Sequence, residues 1–381
     1  MRRLLALLAA ALLILAGCAD SKSEGPDPAD DPKGALETAL DNLANSEGMT
    51  LTLTLDSTEE SLTAAGEGDL PPDVAGKILD SSIVVSTKGD TPENAEFQML
   101  IDVSGTEGFE IKSVGEEIYA RADVRGLVET FGGKASGVDE FVAQAGTQPG
   151  FEFVEPAANG EWLHLTGAKE LAEQFGAMPA ASANEEMQKK IEDALRKALD
   201  ENATVESEGT DDIGDHLVAN LNIRGFYAGI KDTFASLIPQ GVPAGQLPPE
   251  SEVPDEDLKL DIWVADGTIE QVSFDFLQLA ALAEGEADIP EGVDRLGLLL
   301  QFDPFDDSVE VPGDAVDVDL QQVMQGFFMP TGSATSSGSA SSEVVVPEGA
   351  PTDMGDLCKE LENAPDDVKA QFVEQCPDLV P

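Results

Sequence analysis

Residues Thr50 to Leu55 alternate threonine and leucine without a break, and this pattern limits the fold more than any other feature of the chain. A strand sends successive side chains to opposite faces, so such a segment has one apolar face and one polar face. A helix would scatter the leucines around its circumference. The same two-residue period returns in Ile83 to Thr87, in Phe97, Met99, Ile101 and Val103, and in Leu217, Ala219, Leu221 and Ile223. Leu258, Leu260, Ile262 and Val264 run into Asp266-Gly267, a strong hairpin signal, and the return strand carries Val272, Phe274 and Phe276. Phe109 and Ile111 lead through a Gly115-Glu116 turn to Ile118 and Ala120. Trp162 to Leu165, Leu296 to Phe302 and Val309 to Val311 are further predicted strands. Strands with a single apolar side predict an antiparallel sheet covered on that side.

Helical spacing interrupts the strands. Leu36, Ala39, Leu40 and Leu43 predict a first helix, and short helices are expected over Leu127 to Phe131 and Val138 to Ala145. Lys169 to Phe175 and Glu185 to Leu199 read as helical, the second through Met187, Ile191, Leu195 and Leu199. Phe226, Ile230, Phe234 and Leu237 form a stripe that Pro239 stops, and a last helix is expected near Leu320 to Phe327. Residues 239–256 hold five prolines and several acids, which predicts a surface loop. The fold class expected is α+β.

The two ends of the chain read differently. Arg2 and Arg3, an apolar run from Leu4 to Leu15, and small residues at Ala16 and Gly17 describe a signal peptide over residues 1–17. The run is shorter than the roughly 20 apolar residues a membrane span needs. Cys18, directly after Leu15-Ala16-Gly17, resembles the cysteine of a bacterial lipobox. The resemblance implies cleavage between Gly17 and Cys18 and a diacylglycerol on the Cys18 thiol. The membrane would then be a partner through that lipid, with the protein on the extracytoplasmic face. Residues 18–32 are rich in proline, charge and small polar side chains, and predict a flexible tether. The main α+β domain is expected over residues 33–330 and a Ser/Gly-rich linker over 331–352. Residues 353–381 predict a helical hairpin with Cys358 and Cys376 at its outer ends. An even pair in an oxidising compartment predicts a disulfide, which would contribute about 3 kcal/mol to so small a unit. Two unpaired buried thiols are the alternative.

Charge and motifs exclude several functions. With 75 acidic against 21 basic residues the formal charge is -54, which repels phosphate backbones, so no nucleic-acid partner is expected. A solvated acidic surface accounts for that charge. A cation-binding surface is the other reading, but no Asp-x-Asp-x-Asp-Gly loop occurs. No Gly-x-Ser-x-Gly, His-Glu-x-x-His, Gly-x-x-x-x-Gly-Lys or Gly-x-Gly-x-x-Gly motif occurs either. His164 and His216 each fall on a predicted strand and read as ordinary strand residues. The expectation is a protein that is not an enzyme and holds no metal or cofactor.

The order of these features is a lipid-bearing cysteine, an acidic tether, a first helix and then strands. It continues into mid-chain helices and the Leu260 to Ile269 hairpin around Trp263. In this order the chain resembles the actinobacterial LppX/LprAFG lipoproteins, which share the architecture of the LolA carriers. The likeness is carried by the Leu36 to Leu55 helix-to-strand passage, the Trp263 hairpin, and Val309-Glu310-Val311-Pro312, where related chains end a strand before proline. It covers roughly Lys33 to Leu320. The resemblance implies a curved antiparallel sheet, a half-barrel, covering helices and enclosing an apolar cavity for an acyl lipid or lipoglycan. Leu51, Leu53, Phe97, Met99, Ile101, Ile262 and Phe274 would line that cavity, or would equally serve as close-packed core. The function implied is binding or transport of an apolar ligand in the cell envelope. A non-catalytic envelope scaffold with a filled core is the alternative, and the sequence names no protein partner for it. The insertion at 239–256 and the C-terminal hairpin depart from the family pattern.

Overall fold

A computed structural model describes residues 25–66, 70–89, 94–146, 151–167, 185–237, 249–282 and 289–321, together with Val323. The expectations at Gly17, Cys18, Cys358 and Cys376, the helix at Lys169 to Phe175, the linker and the C-terminal hairpin lie outside the described residues.

The first helix, α1 (Pro32–Ala44), starts where Asp31 accepts a hydrogen bond from the Gly34 N–H, with Pro32 in the first turn. Its Ala35, Leu36, Ala39 and Leu43 are buried. The expected strands follow as β1 (Gly48–Ser57), β2 (Ser82–Lys88), β3 (Glu96–Val103), β4 (Thr106–Val114), β5 (Glu117–Ala122) and β6 (Leu163–Thr166). Between β1 and β2 lie two short helices, α2 (Glu59–Ala65) and α3 (Pro72–Leu79). Between β5 and β6 lie α4 (Val124–Thr130), α5 (Ala135–Ala145) and α6 (Val154–Ala158). The second half holds α7 (Glu185–Asn202), β7 (Ala203–Thr210), β8 (Asp215–Asn222) and α8 (Ile223–Leu237). It continues through β9 (Asp257–Ala265), β10 (Thr268–Asp275), α9 (Leu277–Leu282), β11 (Leu296–Pro304) and β12 (Val316–Asp319).

All twelve strands of the described residues join one sheet in the order β12-β6-β5-β4-β3-β2-β1-β11-β10-β9-β8-β7. Every pair is antiparallel except β12 with β6. Two meanders, β1 to β6 and β7 to β11, are fused where β1 pairs with β11. The Asp266-Gly267 turn forms as expected, with both residues at positive φ (51° and 73°), the geometry a tight two-residue hairpin needs.

The sheet is large, open and uncurled, which corrects the expectation of a half-barrel. Bulges bend sheets, and three of them lie inside the meanders, at Ile101/Asp102, Ser207/Gly209 and Ile269/Gln271. The central β1–β11 seam runs in unbroken register from Met49–Pro304 to Ser57–Leu296 and carries none.

Two further expectations are corrected. Val309 to Val311 is not a strand. Val309 is buried, but its N–H donates to Glu96 Oε2 at 2.6 Å instead of to a ladder, and Pro312 supplies no donor at all. Pairing resumes only at β12. The stretch 239–256 is not wholly surface loop: Val253 is buried beneath α8, and Glu250–Glu252 form a 3-10 turn.

One core joins α1 to the sheet through Leu36, Ala39 and Leu43 packed on Met49, Leu51, Leu217, Ile262, Val272, Leu300 and Phe302. The Asn42 amide donates to the Gly267 carbonyl at 2.8 Å, fastening α1 to the β9–β10 turn. A second core joins α7 and α8 through Ala198, Phe226, Tyr227 and Ile230, packed with Leu221, Val253 and Leu258. Lys33 Nζ meets Asp200 Oδ1 at 2.5 Å, and Arg196 pairs with Asp41, so α1 and α7 are tied by two ion pairs.

Candidate functional site

Residues paired directly across strands share a face. One such row runs Ala122, Phe109, Ile101, Ile83, Leu53, Leu300, Val272, Ile262, Leu217, crossing nine strands. A neighbouring row on the same face runs Leu163, Ala120, Ile111, Met99, Val85, Leu51, Phe302. Neither row contains a charged residue, in a chain where one residue in four is charged.

Burial divides these rows in two. From Leu300 to Leu217 the first is buried under α1. Beyond Leu53 the cover thins: Ile83 is exposed, while Ile101, Phe109, Val85, Met99 and Ile111 are all half-buried. The candidate site is this uncharged, half-covered surface on β2, β3 and β4.

The seven residues expected to line a cavity fall on both sides of the division. Leu51, 2% exposed, and Ile262, 6% exposed, sit in the packed core under α1. Leu53 packs against that core and Phe274 against the second one. Phe97, Met99 and Ile101 lie on the half-covered part of β3. Val85, Phe109 and Ile111 belong to the same surface and were not singled out from the sequence. Their signal was there, since cross-strand alignment of three alternating segments would have placed them beside Met99. A surface cavity of 690 Å³ lies elsewhere, between α2, α3 and the loop before β11. Glu59, Glu60, Pro72, Pro290 and Glu291 are among its lining residues, and none of the seven is.

The opposite face of β3 to β6 is polar. Glu110 is buried there and answered from three sides: Arg121 Nε at 2.7 Å, Gln98 Nε2 at 2.8 Å and Lys112 Nζ at 3.5 Å. Arg121 and Lys112 both lie over the Trp162 ring, at 4.9 and 5.0 Å from its centre. His164 stacks on Tyr119, with Nδ1 2.7 Å from Asp317 and Nε2 against Glu117. The bond to Asp317 first, and then Glu117, raise His164 above its usual value despite partial desolvation. His216 stacks on Trp263, and the Trp263 indole donates to Asp211, whose carboxyl it holds below the usual range. Among the described residues no cluster of three or more His, Cys, Asp or Glu is arranged to hold a metal. None of the described helices is long and apolar enough to cross a membrane.

Fold and site together define an α+β protein whose mostly antiparallel sheet is packed on half of its apolar face and part-open on the rest. No family model matches the chain, and no curated protein does. Among solved structures the chain is similar to the crystal structure of the lipoprotein LppX of Mycobacterium tuberculosis, at 10% identity and a TM-score of 0.30. The alignment covers 75% of this chain and 100% of that one.

Proposed function

We propose that this protein is a membrane-anchored, extracytoplasmic lipoprotein that binds the hydrocarbon part of a lipid on the uncharged surface of β2, β3 and β4. The observation that carries the reading is the change of cover along one continuous apolar row, buried at Leu300 and Ile262 and half-covered at Ile101 and Phe109. Each methylene moved from water onto such a surface contributes about 0.8 kcal/mol, so an acyl chain would complete there what α1 completes on the other half. The lipobox-like Cys18 supplies the membrane, and the residues from it to Gly25 supply reach. The ligand would be held without chemistry, since the reading assigns no nucleophile, base or metal to this face. The polar head of that ligand, an acyl lipid or lipoglycan, would remain in solvent at the end of the strands.

Native mass spectrometry of detergent-free protein tests the reading. Lipid should co-purify with the wild type. Met99→Asp should lower its occupancy at least tenfold while leaving the circular dichroism spectrum unchanged, because Met99 is only partly covered and not part of the packed core. Recovery of wild-type protein free of lipid, or full retention of lipid by Met99→Asp, overturns it. Lipid-free protein that retains a bound envelope protein would instead favour the scaffold reading.

A further inference from the structure

Two exposed phenylalanines need an explanation that the ligand surface does not give. Phe131 is 47% exposed at the end of α4 and Phe141 is 62% exposed on α5, and Val124 at the start of α4 is exposed too. The two helices pack on each other, so their apolar side chains belong to one local unit.

Its place in the fold is fixed by two contacts. The Thr130 and Thr106 hydroxyls are 3.0 Å apart, and Leu127 lies against Gly108. Thr106 and Gly108 begin β4, beside the β3–β4 turn. Ile101, Val103 and Phe109, at the same end of these strands, terminate the half-covered surface. Phe131 directly follows Thr130, so α4 brings it to the end where that surface opens, and α5 with Phe141 packs on α4.

Charge and tether length select the occupant. Residues 124–146 carry Arg125 and Lys134 against Glu129, Asp139 and Glu140, an excess of one acid in a chain with a formal charge of -54. Arg125 is also paired with Asp139 at 2.7 Å. A nearly neutral, aromatic unit is repelled by a lipid surface far less than the acidic bulk of this protein. The seven residues from Cys18 to Gly25 span at most roughly 25 Å, so a body anchored at Cys18 stays within that distance of the bilayer.

We propose that α4 and α5 form an aromatic lip, with Phe131 and Phe141 inserted into the interface of a lipid bilayer and the open end of the apolar surface held next to it. The proposal rests on the membrane-anchored reading above. A ligand would pass from bilayer to sheet along this lip without crossing open water.

The test holds the chain on phosphatidylcholine vesicles by an N-terminal polyhistidine tag and nickel-chelating lipid, so that tethering does not depend on acylation of Cys18. Phe141→Trp adds a reporter to the two native tryptophans, and Ile289→Trp, at an exposed site outside the lip, is the control. With brominated acyl chains in the vesicles, the emission added at position 141 should fall at least twofold and that added at 289 should not. Equal quenching at both positions, or none at either, overturns the lip. So does loss of a dimer in sedimentation on Phe131→Ser/Phe141→Ser, which would make the patch a contact between copies. Binding of pyrene-labelled phosphatidylcholine by the untethered protein is measured separately. Quenching at 141 without pyrene-lipid binding supports the lip and counts against the ligand surface. Pyrene-lipid binding without quenching at 141 overturns the lip and leaves the ligand surface standing.

Discussion

His164 sits between two carboxylates that can only accept, Asp317 on β12 and Glu117 on β5, and only the imidazolium has two N–H groups to offer them. When it is neutral, one of the two bonds is lost. The group's folded-state value is raised above its ordinary 6.5, by Asp317 first and Glu117 second. Its contribution to stability is therefore complete below about pH 6.5, and it is lost as pH rises through the higher folded-state value. Both carboxylates are mostly exposed, so screening limits each bond to less than about 1 kcal/mol. The expected outcome is local. Amide exchange across β12 should quicken as pH climbs above 6.5, beyond the ordinary base-catalysed increase measured on β9. In His164→Gln that excess should vanish. An imidazole titrating at or below 6.5, assigned through the same variant, would contradict it.

Elements were legible where periodicity was clean. The Thr50 to Leu55 alternation became β1, Leu36 to Leu43 became α1, and Asp266-Gly267 closed its hairpin, because each signal is local and its partners only reinforce it. The alternation at Val309 to Val311 was too short to compete with the Glu96 carboxylate for its one buried N–H. Conversely β7, whose outer half is exposed on both sides, carries almost no apolar period and was not expected. The α2 and α3 helices are too short for a stripe, although Thr58, which caps α2 by accepting from Ser61 N–H, was a readable start signal. The candidate site was half legible. Its residues could be assigned to one face, but which of them α1 would cover depends on contacts between Leu36 and strands more than 170 positions away. That division makes α1 separable from the ligand surface. Asp31→Ala removes its cap and should lower stability by about 1 kcal/mol in urea unfolding. Lipid occupancy should not change, because α1 covers the packed half of the sheet. A matching fall in occupancy would show that the two halves are one unit.

For the whole molecule the governing quantity is charge. Pairing every Lys and Arg would still leave most of the 75 carboxylates without a cation, and the formal charge of -54 works against any compact state. The fold tolerates it by sorting. The apolar rows of the sheet are free of charge, the buried Glu110 is met by Arg121, Gln98 and Lys112, and no other acid among the described residues is buried. What opposes folding is therefore long-range repulsion between solvated carboxylates, which salt screens over a Debye length that falls from about 30 Å at 0.01 M to about 3 Å at 1 M. The melting temperature should rise steadily between those limits, by several degrees, in sodium chloride and potassium chloride alike. Magnesium or calcium at equal ionic strength should add little, since screening depends on ionic strength and the described residues offer no clustered ligands for a divalent ion. A rise that saturates at millimolar calcium and is absent with sodium would replace screening by specific cation binding. The acidic surface would then be a site instead of a solvated coat.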